Sequence, residues 1–160
     1  MMVQSRNIGL RHTSSARLVA VQALYELDVT GSETDSIILD FKKKRWLRPS
    51  IYLNQEGDSV NLIDPDKKKF IEIINGVEKN IQKIDEMLFS VLKKEREIED
   101  LDIILRSLLR AGIFELFFLS HLPVSVIINE YVELTRAFYS AKEPYFVNGV
   151  LDSIAKMVRN

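Results

Sequence analysis

The stretch "YFVNGVLDSIAKMV", residues 145–158, decides the fold class. Asn148-Gly149 between apolar residues is a strong hairpin signal, because both residues tolerate the positive φ of a type I′ turn. The apolar spacing argues the other way. Val147, Val150, Leu151, Ile154 and Val158 fall at i, i+3, i+4, i+7 and i+11, one stripe of a 3.6-residue helix, and "LDSIAKM" shows no sustained alternation. Pro144 can open that helix, since a first-turn residue needs no intrahelical N–H bond. Gly149 then sits mid-helix at a cost of about 1 kcal/mol relative to Ala. The offset is either close packing at Gly149 or a surface that needs a small residue beside an amide.

The same period runs back through the chain. Phe70, Ile74, Val77, Ile81, Ile84 and Leu88 alternate spacings of four and three, the seam of one long helix from Asp66, with Gly76 as a site of close approach. Further stripes follow in Ile98, Leu101, Leu105, Leu108 and Leu109, in "GIFELFFL" as a central buried helix, and in Ile127, Tyr131, Leu134 and Phe138 after Pro123. A first helix starts in "HTSSAR", capped by Ser14 or Ser15, and runs to about Asp28; a second spans about 36–46. Residues 48–65 combine Pro, Gly, Asn and Asp with little period and read as a long loop. No segment argues for a strand. The class is all-α, with about seven helices.

With 160 residues, 46% of them hydrophobic, and 22 basic against 23 acidic side chains, the chain is one domain or two small subdomains sharing a core. It contains no cysteine, which excludes disulfides and cysteine-ligated metals. A signal segment and a membrane-spanning apolar run are not evident, so a cytoplasmic protein is expected. A net charge of −1 argues against indiscriminate nucleic-acid binding. Residues 1–25 nevertheless carry Arg6, Arg11, His12 and Arg17 with no acid. The runs "KKKR" (Lys42–Arg45) and "KKK" (Lys67–Lys69) read as solvated helix surface.

Catalytic chemistry has little support. His12 and His121 have no second ligand at metal spacing, no Gly-rich phosphate loop occurs, and Glu99/Asp100 and Glu130/Glu133 read as solvated faces. No catalytic residue, metal or cofactor is expected. Arg17, Val21 and Tyr25 at i, i+4 and i+8 form one row of the first helix. As a surface row it offers a guanidinium for phosphate and a ring for a base, as in single-stranded RNA recognition; as a core row, Tyr25 is half-buried packing.

Four segments in order, "ARLVAVQALYELD" (Ala16–Asp28), "ILRSLLRAGIFEL" (Ile104–Leu116), "LPVSVIINEYVELTRAF" (Leu122–Phe138) and "FVNGVLD" (Phe146–Asp152), resemble the NusB family of bacterial transcription antitermination factors. The resemblance covers most of the chain from Ala16, leaving mainly 30–65 without a counterpart. It implies a single NusB-like domain of two packed helical bundles, here about 14–90 and 97–160. It also implies the ribosomal protein NusE as partner, single-stranded boxA RNA of ribosomal RNA leaders as target, and a place in an RNA polymerase antitermination complex. Carried over by position, the RNA-binding residues are Arg11, Arg17, Gln22, Tyr25, Lys142, Phe146 and Asn148. The family's arginine-rich stretch is replaced by Thr13, Ser14 and Ser15, so phosphate attraction is expected to be weaker. Glu115, Asn129 and Glu130 also match motif positions, with pairing to Arg106 or Arg110 an equal account of them. An RNA-binding module related to ribosomal RNA methyltransferases and a helical adaptor without RNA contact are the alternatives. The sequence is compatible with a monomer or a homodimer.

Overall fold

The structure, a computed structural model, describes residues 11–43, 64–92 and 97–159. Among these residues there are seven α-helices and no strand: α1 (His12–Thr30), α2 (Thr34–Lys42), α3 (Lys67–Lys79), α4 (Ile81–Val91), α5 (Ile103–Phe118), α6 (Val124–Phe138) and α7 (Glu143–Val158). A short 3₁₀ helix, Ile98–Asp100, precedes α5. The 48–65 loop and the end of the second helix at 44–46 lie outside the described residues, except that 64 and 65 are irregular.

The hairpin reading of Asn148-Gly149 is excluded, because both lie within α7, with Pro144 in its first turn. The expected long helix from Asp66 is instead two. Asn80 leaves helical geometry at φ −114°, and its side-chain amide donates to the Gly76 carbonyl at 2.8 Å. A short amide competing for a backbone carbonyl is the reason Asn ends helices. The apolar seam survives the break: Phe70, Ile74 and Val77 on α3 and Ile84 and Leu88 on α4 are all buried.

The start of α1 also differs from expectation. Arg11 occupies the N-cap with no side-chain cap, and Ser14 and Ser15 lie inside the first turn. What holds this end is the segment leading into α3: the Asp66 N–H donates to the His12 carbonyl at 2.9 Å, and His12 Nδ1 donates to the Asp64 carbonyl at 2.6 Å. The other end of α1 closes on Gly31, whose φ of 68° is left-handed and satisfies the Leu27 carbonyl.

Helix α5 is the axle, packed against α1, α3, α4, α6 and α7. This bears out "GIFELFFL" as a central buried helix, although Phe117 and Phe118 at its end are half-exposed. Close approach at Gly76 is also borne out, since a Cβ there would lie 2.1 Å from the Phe114 ring. At Gly112 of α5 a Cβ would come within 3.0 Å of Leu151 of α7. The two halves of the chain share one hydrophobic core.

Chain directions follow from polar contacts. Arg17 pairs with Glu115 near the end of α5, while Asp28 pairs with Arg106 and Arg110 nearer its start, so α1 and α5 are antiparallel. Tyr139, just after α6, donates to Asp102 at the start of α5 (2.5 Å). Arg159, just after α7, donates to the Leu116, Leu119 and Leu122 carbonyls at 2.7, 3.0 and 2.8 Å and covers the α5 C-terminus with a cation. The end of α1, the start of α5, the end of α6 and the start of α7 therefore share one end of the bundle.

Gly76→Ala is expected to cost about 1–3 kcal/mol by overpacking against Phe114, and Gly76→Ala/Phe114→Leu to recover part of that loss. Urea unfolding midpoints of the two variants check both expectations.

Candidate nucleic-acid interface

The sequence-derived residues divide between the two ends of the bundle. Tyr25, in the second half of α1, lies toward the same end as Lys142, Phe146 and Asn148 at the start of α7, while Gln22 sits at the middle of α1. Arg11 and Arg17 lie at the opposite end; Arg11 and Tyr25 are separated by about 21 Å along α1 at 1.5 Å per residue.

Exposure sorts them further. Arg11, Lys142 and Asn148 are exposed, Gln22 is intermediate, and Phe146 is partly buried against the core. Tyr25 is 37% exposed, so its ring lies at the surface. Arg17 and Val21 are only 4% and 0% exposed, which corrects the surface-row reading of Arg17, Val21 and Tyr25: two of the three face inward. Helix α1 packs on both α3 and α5, so its apolar stripe is wide enough to take in position 17.

Arg17 instead enters a buried ionic cluster. Its Nε and Nη2 donate to the two carboxylate oxygens of Glu115 at 2.8 and 2.9 Å, a bidentate pair, and Nη1 lies 3.7 Å from Glu130. Lys69 Nζ and the Tyr131 hydroxyl also bind Glu115, and Ser14 Oγ donates to Glu130 at 2.9 Å. The expected pairing of Glu115 or Glu130 with Arg106 or Arg110 is therefore wrong. Arg110 forks onto Asp85 at 2.9 and 2.8 Å, and Arg106 holds Asp28 at 2.8 Å. Lys69 also departs from its reading as solvated surface, because it points from the first turn of α3 to Glu115.

The protonation states follow the contacts. Burial alone would raise the Glu115 carboxyl, but the hydrogen bonds and charges of Arg17 and Lys69 outweigh it and hold the group below the usual carboxylate range. Burial works against the Arg17 cation, yet the bond to Glu115 raises its pKa further still. Tyr131 is pushed upward by burial and by the Glu115 charge, so it remains a donor. A cleft of about 380 Å³ beside this cluster is lined by Arg11, Thr13, Lys68 and His121. Arg17 and Lys69 share its lining with Asp66, Glu72 and Glu130, so its charges largely offset one another.

The other end differs in character. It carries the half-exposed Tyr25 ring, the exposed Lys142 and Asn148, and Tyr145, which is 75% exposed. Tyr145 was missed by sequence reasoning, although it lies off the apolar stripe that defines α7. Asn129, which matched a motif position, is exposed on α6.

The sequence pattern of the NusB family matches residues 14–156. The chain belongs to the NusB family. Among similar proteins, the transcription antitermination protein NusB of Caulobacter vibrioides is 41% identical over 147 residues, covering 92% of this chain and 94% of that one. Its counterpart in Bartonella quintana is 39% identical over 145 residues, covering 91% and 88%. A crystal structure of antitermination factors NusB and NusE in complex with dsRNA is similar with a TM-score of 0.70 at 22% identity, covering 98% of this chain and 99% of the other. T. maritima NusB gives 0.68 at 24%, covering 98% and 93%. Both structural likenesses confirm the NusB fold.

Glu115 ties its stability contribution to pH. Because its carboxyl is held low in the folded chain, the contribution is complete above the unfolded value of about 4.3 and is lost as pH falls through the folded value. Glu115→Gln is expected to be less stable at neutral pH and to lose less on acidification; unfolding midpoints from pH 7 down to 2 check this. Arg17→Met should cost about 3 kcal/mol by removing the fork from a buried carboxylate, and Arg17→Met/Glu115→Gln should cost less than the sum of the singles.

Proposed function

We propose that this chain is an RNA-binding transcription antitermination factor that works as a heterodimer with the small-subunit ribosomal protein NusE. Its target is single-stranded boxA RNA of ribosomal RNA leaders, and the assembly joins an RNA polymerase complex that resists termination. The observation that carries this reading is the relationship to transcription antitermination proteins of about 40% identity across nine-tenths of the chain. The shared fold with a complex of NusB and NusE with dsRNA supports the partner and RNA, though not its single-strandedness, as the ligand.

In this reading the RNA meets the end of the bundle that carries Tyr25, Lys142, Phe146 and Asn148, with Gln22 at the middle of α1. Unstacked bases lie on the Tyr25 and Phe146 rings, Lys142 attracts phosphate, and the Gln22 and Asn148 amides read base edges. Arg11, at the far end of α1, adds a cation within reach of a longer strand. Arg17 acts indirectly, since its guanidinium is committed to Glu115 and steadies α1 against α5.

Tyr25→Ala and Phe146→Ala are each expected to weaken RNA binding in the NusE complex by about 1–3 kcal/mol while circular dichroism stays native. Unchanged affinity in both would remove these rings from the site. Few exposed cations face the strand, so the protein alone should bind modestly with a shallow salt slope, and addition of NusE should tighten binding and steepen the slope. RNA should tighten the NusE contact by the same factor. Titrations of single-stranded and duplex boxA RNA at several salt concentrations, with and without NusE, test this; equal affinity and slope in both series would end the heterodimer mechanism.

A further inference from the structure

Four large apolar side chains are exposed on or beside α4: Phe89 on the helix itself, Phe117 and Phe118 at the end of α5, and Met157 at the end of α7. Phe89 is 57% exposed, more than most rings in contact with water. Contacts join these side chains into one surface. The Phe117 and Phe118 rings meet edge to face at 4.7 Å, Lys83 Nζ of α4 stands 6.0 Å from the Phe117 centroid, and Ser90 Oγ, two turns on along α4, donates to Met157 Sδ at 3.8 Å. Gln82, Glu86 and Phe89 complete the exposed side of the same helix. Contiguous exposed apolar patches mark interaction sites, and aromatic rings and methionine are enriched where proteins meet.

The charges on this surface bear on what covers it. Lys83 and Glu86 are both exposed and stand three residues apart on α4, a spacing at which they could pair within the helix. They do not. Lys83 turns to the Phe117 ring, and neither side chain forms an ion pair among the described residues. The surface therefore presents one uncommitted charge of each sign, side by side between apolar groups. A face for an acidic or a basic partner carries a single sign, whereas a face carrying both in balance matches itself when turned about a two-fold axis.

We propose that this face is covered by a second copy of the same chain in an isologous dimer centred on α4. An axis midway between Lys83 and Glu86 sets the two α4 helices antiparallel and places Lys83 of each copy against Glu86 of the other. Phe89 lies three residues beyond Glu86, so it falls three residues before Lys83 of the second copy, about 4.5 Å along the helix from the position beside Phe117. Each ring is thereby brought to the apolar group of the other copy while both charge pairs close. Phe117, Phe118 and Met157 stand at the C-terminal ends of α5 and α7, away from the start of α7, so the inference does not rest on the RNA-binding reading.

Sedimentation equilibrium of the full chain tests the dimer. Wild type is expected to show a concentration-dependent exchange between monomer and dimer. Lys83→Glu and Glu86→Lys each set like charges against one another at two symmetry-related places, and each is expected to raise the dimer dissociation constant by about tenfold. Phe89→Ser is expected to do the same by removing a buried ring from the interface by about the same factor. All three side chains are exposed in the single chain, so circular dichroism and melting temperature should stay those of wild type. The decisive sample is an equimolar mixture of Lys83→Glu and Glu86→Lys, in which one copy carries two carboxylates and the other two ammonium groups. The mixture is expected to recover the dimer that either variant alone forms poorly. A wild type that stays monomeric at about 100 μM overturns the proposal, as do single variants that dimerise as tightly as wild type or a mixture no tighter than its components. If wild type is monomeric and Phe89→Ser loses NusE binding, the face is a contact for NusE and the self-association reading is wrong.

Discussion

One carboxylate organises this bundle. Glu115 on α5 is wholly buried and is bound by Arg17 from α1, Lys69 from α3 and Tyr131 from α6, so four helices that hydrophobic packing alone would leave free to slide are joined at one point. Burying a charge is costly unless every partner is in place. Here the fork of Arg17, an ammonium and a phenol fill the acceptor sites, and these contacts offset burial and hold the carboxyl below its usual range. Apolar contacts tolerate small shifts of register; a bidentate guanidinium pair does not.

The second consequence is directional. With α1 pinned through Arg17 at one end of α5 and through Asp28 at the other, the exposed part of α1 presents Tyr25 at the same end as the start of α7. The Arg106–Asp28 and Arg110–Asp85 pairs hold α1 and α4 to α5, and Tyr139 on Asp102 holds the turn into α7. One end of the bundle is thus built from two helices far apart in sequence, each fixed by polar contacts to a third. In the RNA-binding reading proposed above, such rigid support would limit the entropy lost on ordering a flexible strand.

The glycines show how identical residues serve different ends. Gly31 supplies a left-handed C-cap, Gly76 admits the Phe114 ring between α3 and α5, and Gly149 does neither. The first two stabilise the fold through backbone geometry and packing; the third weakens its helix without any internal return. Sites that break a local rule without compensation inside the fold are where function is expected to lie.

By itself the sequence determined the helical class, the identity of most core positions and the family, because apolar periodicity and ordered motifs are local properties of the chain. Val147, Val150, Leu151 and Ile154 place α7 without reference to any other helix. Periodicity is silent, however, about a short side chain that ends a helix, and so the break at Asn80 came only with the structure. It is equally silent about which charge meets which. Arg17 and Lys69 read as surface cations, yet both meet Glu115 across more than 40 residues of sequence. Ion-pair partners are chosen by the docking of helices, and only the tertiary structure decided that Arg17 holds the bundle together while Tyr25, two turns on, is left at the surface.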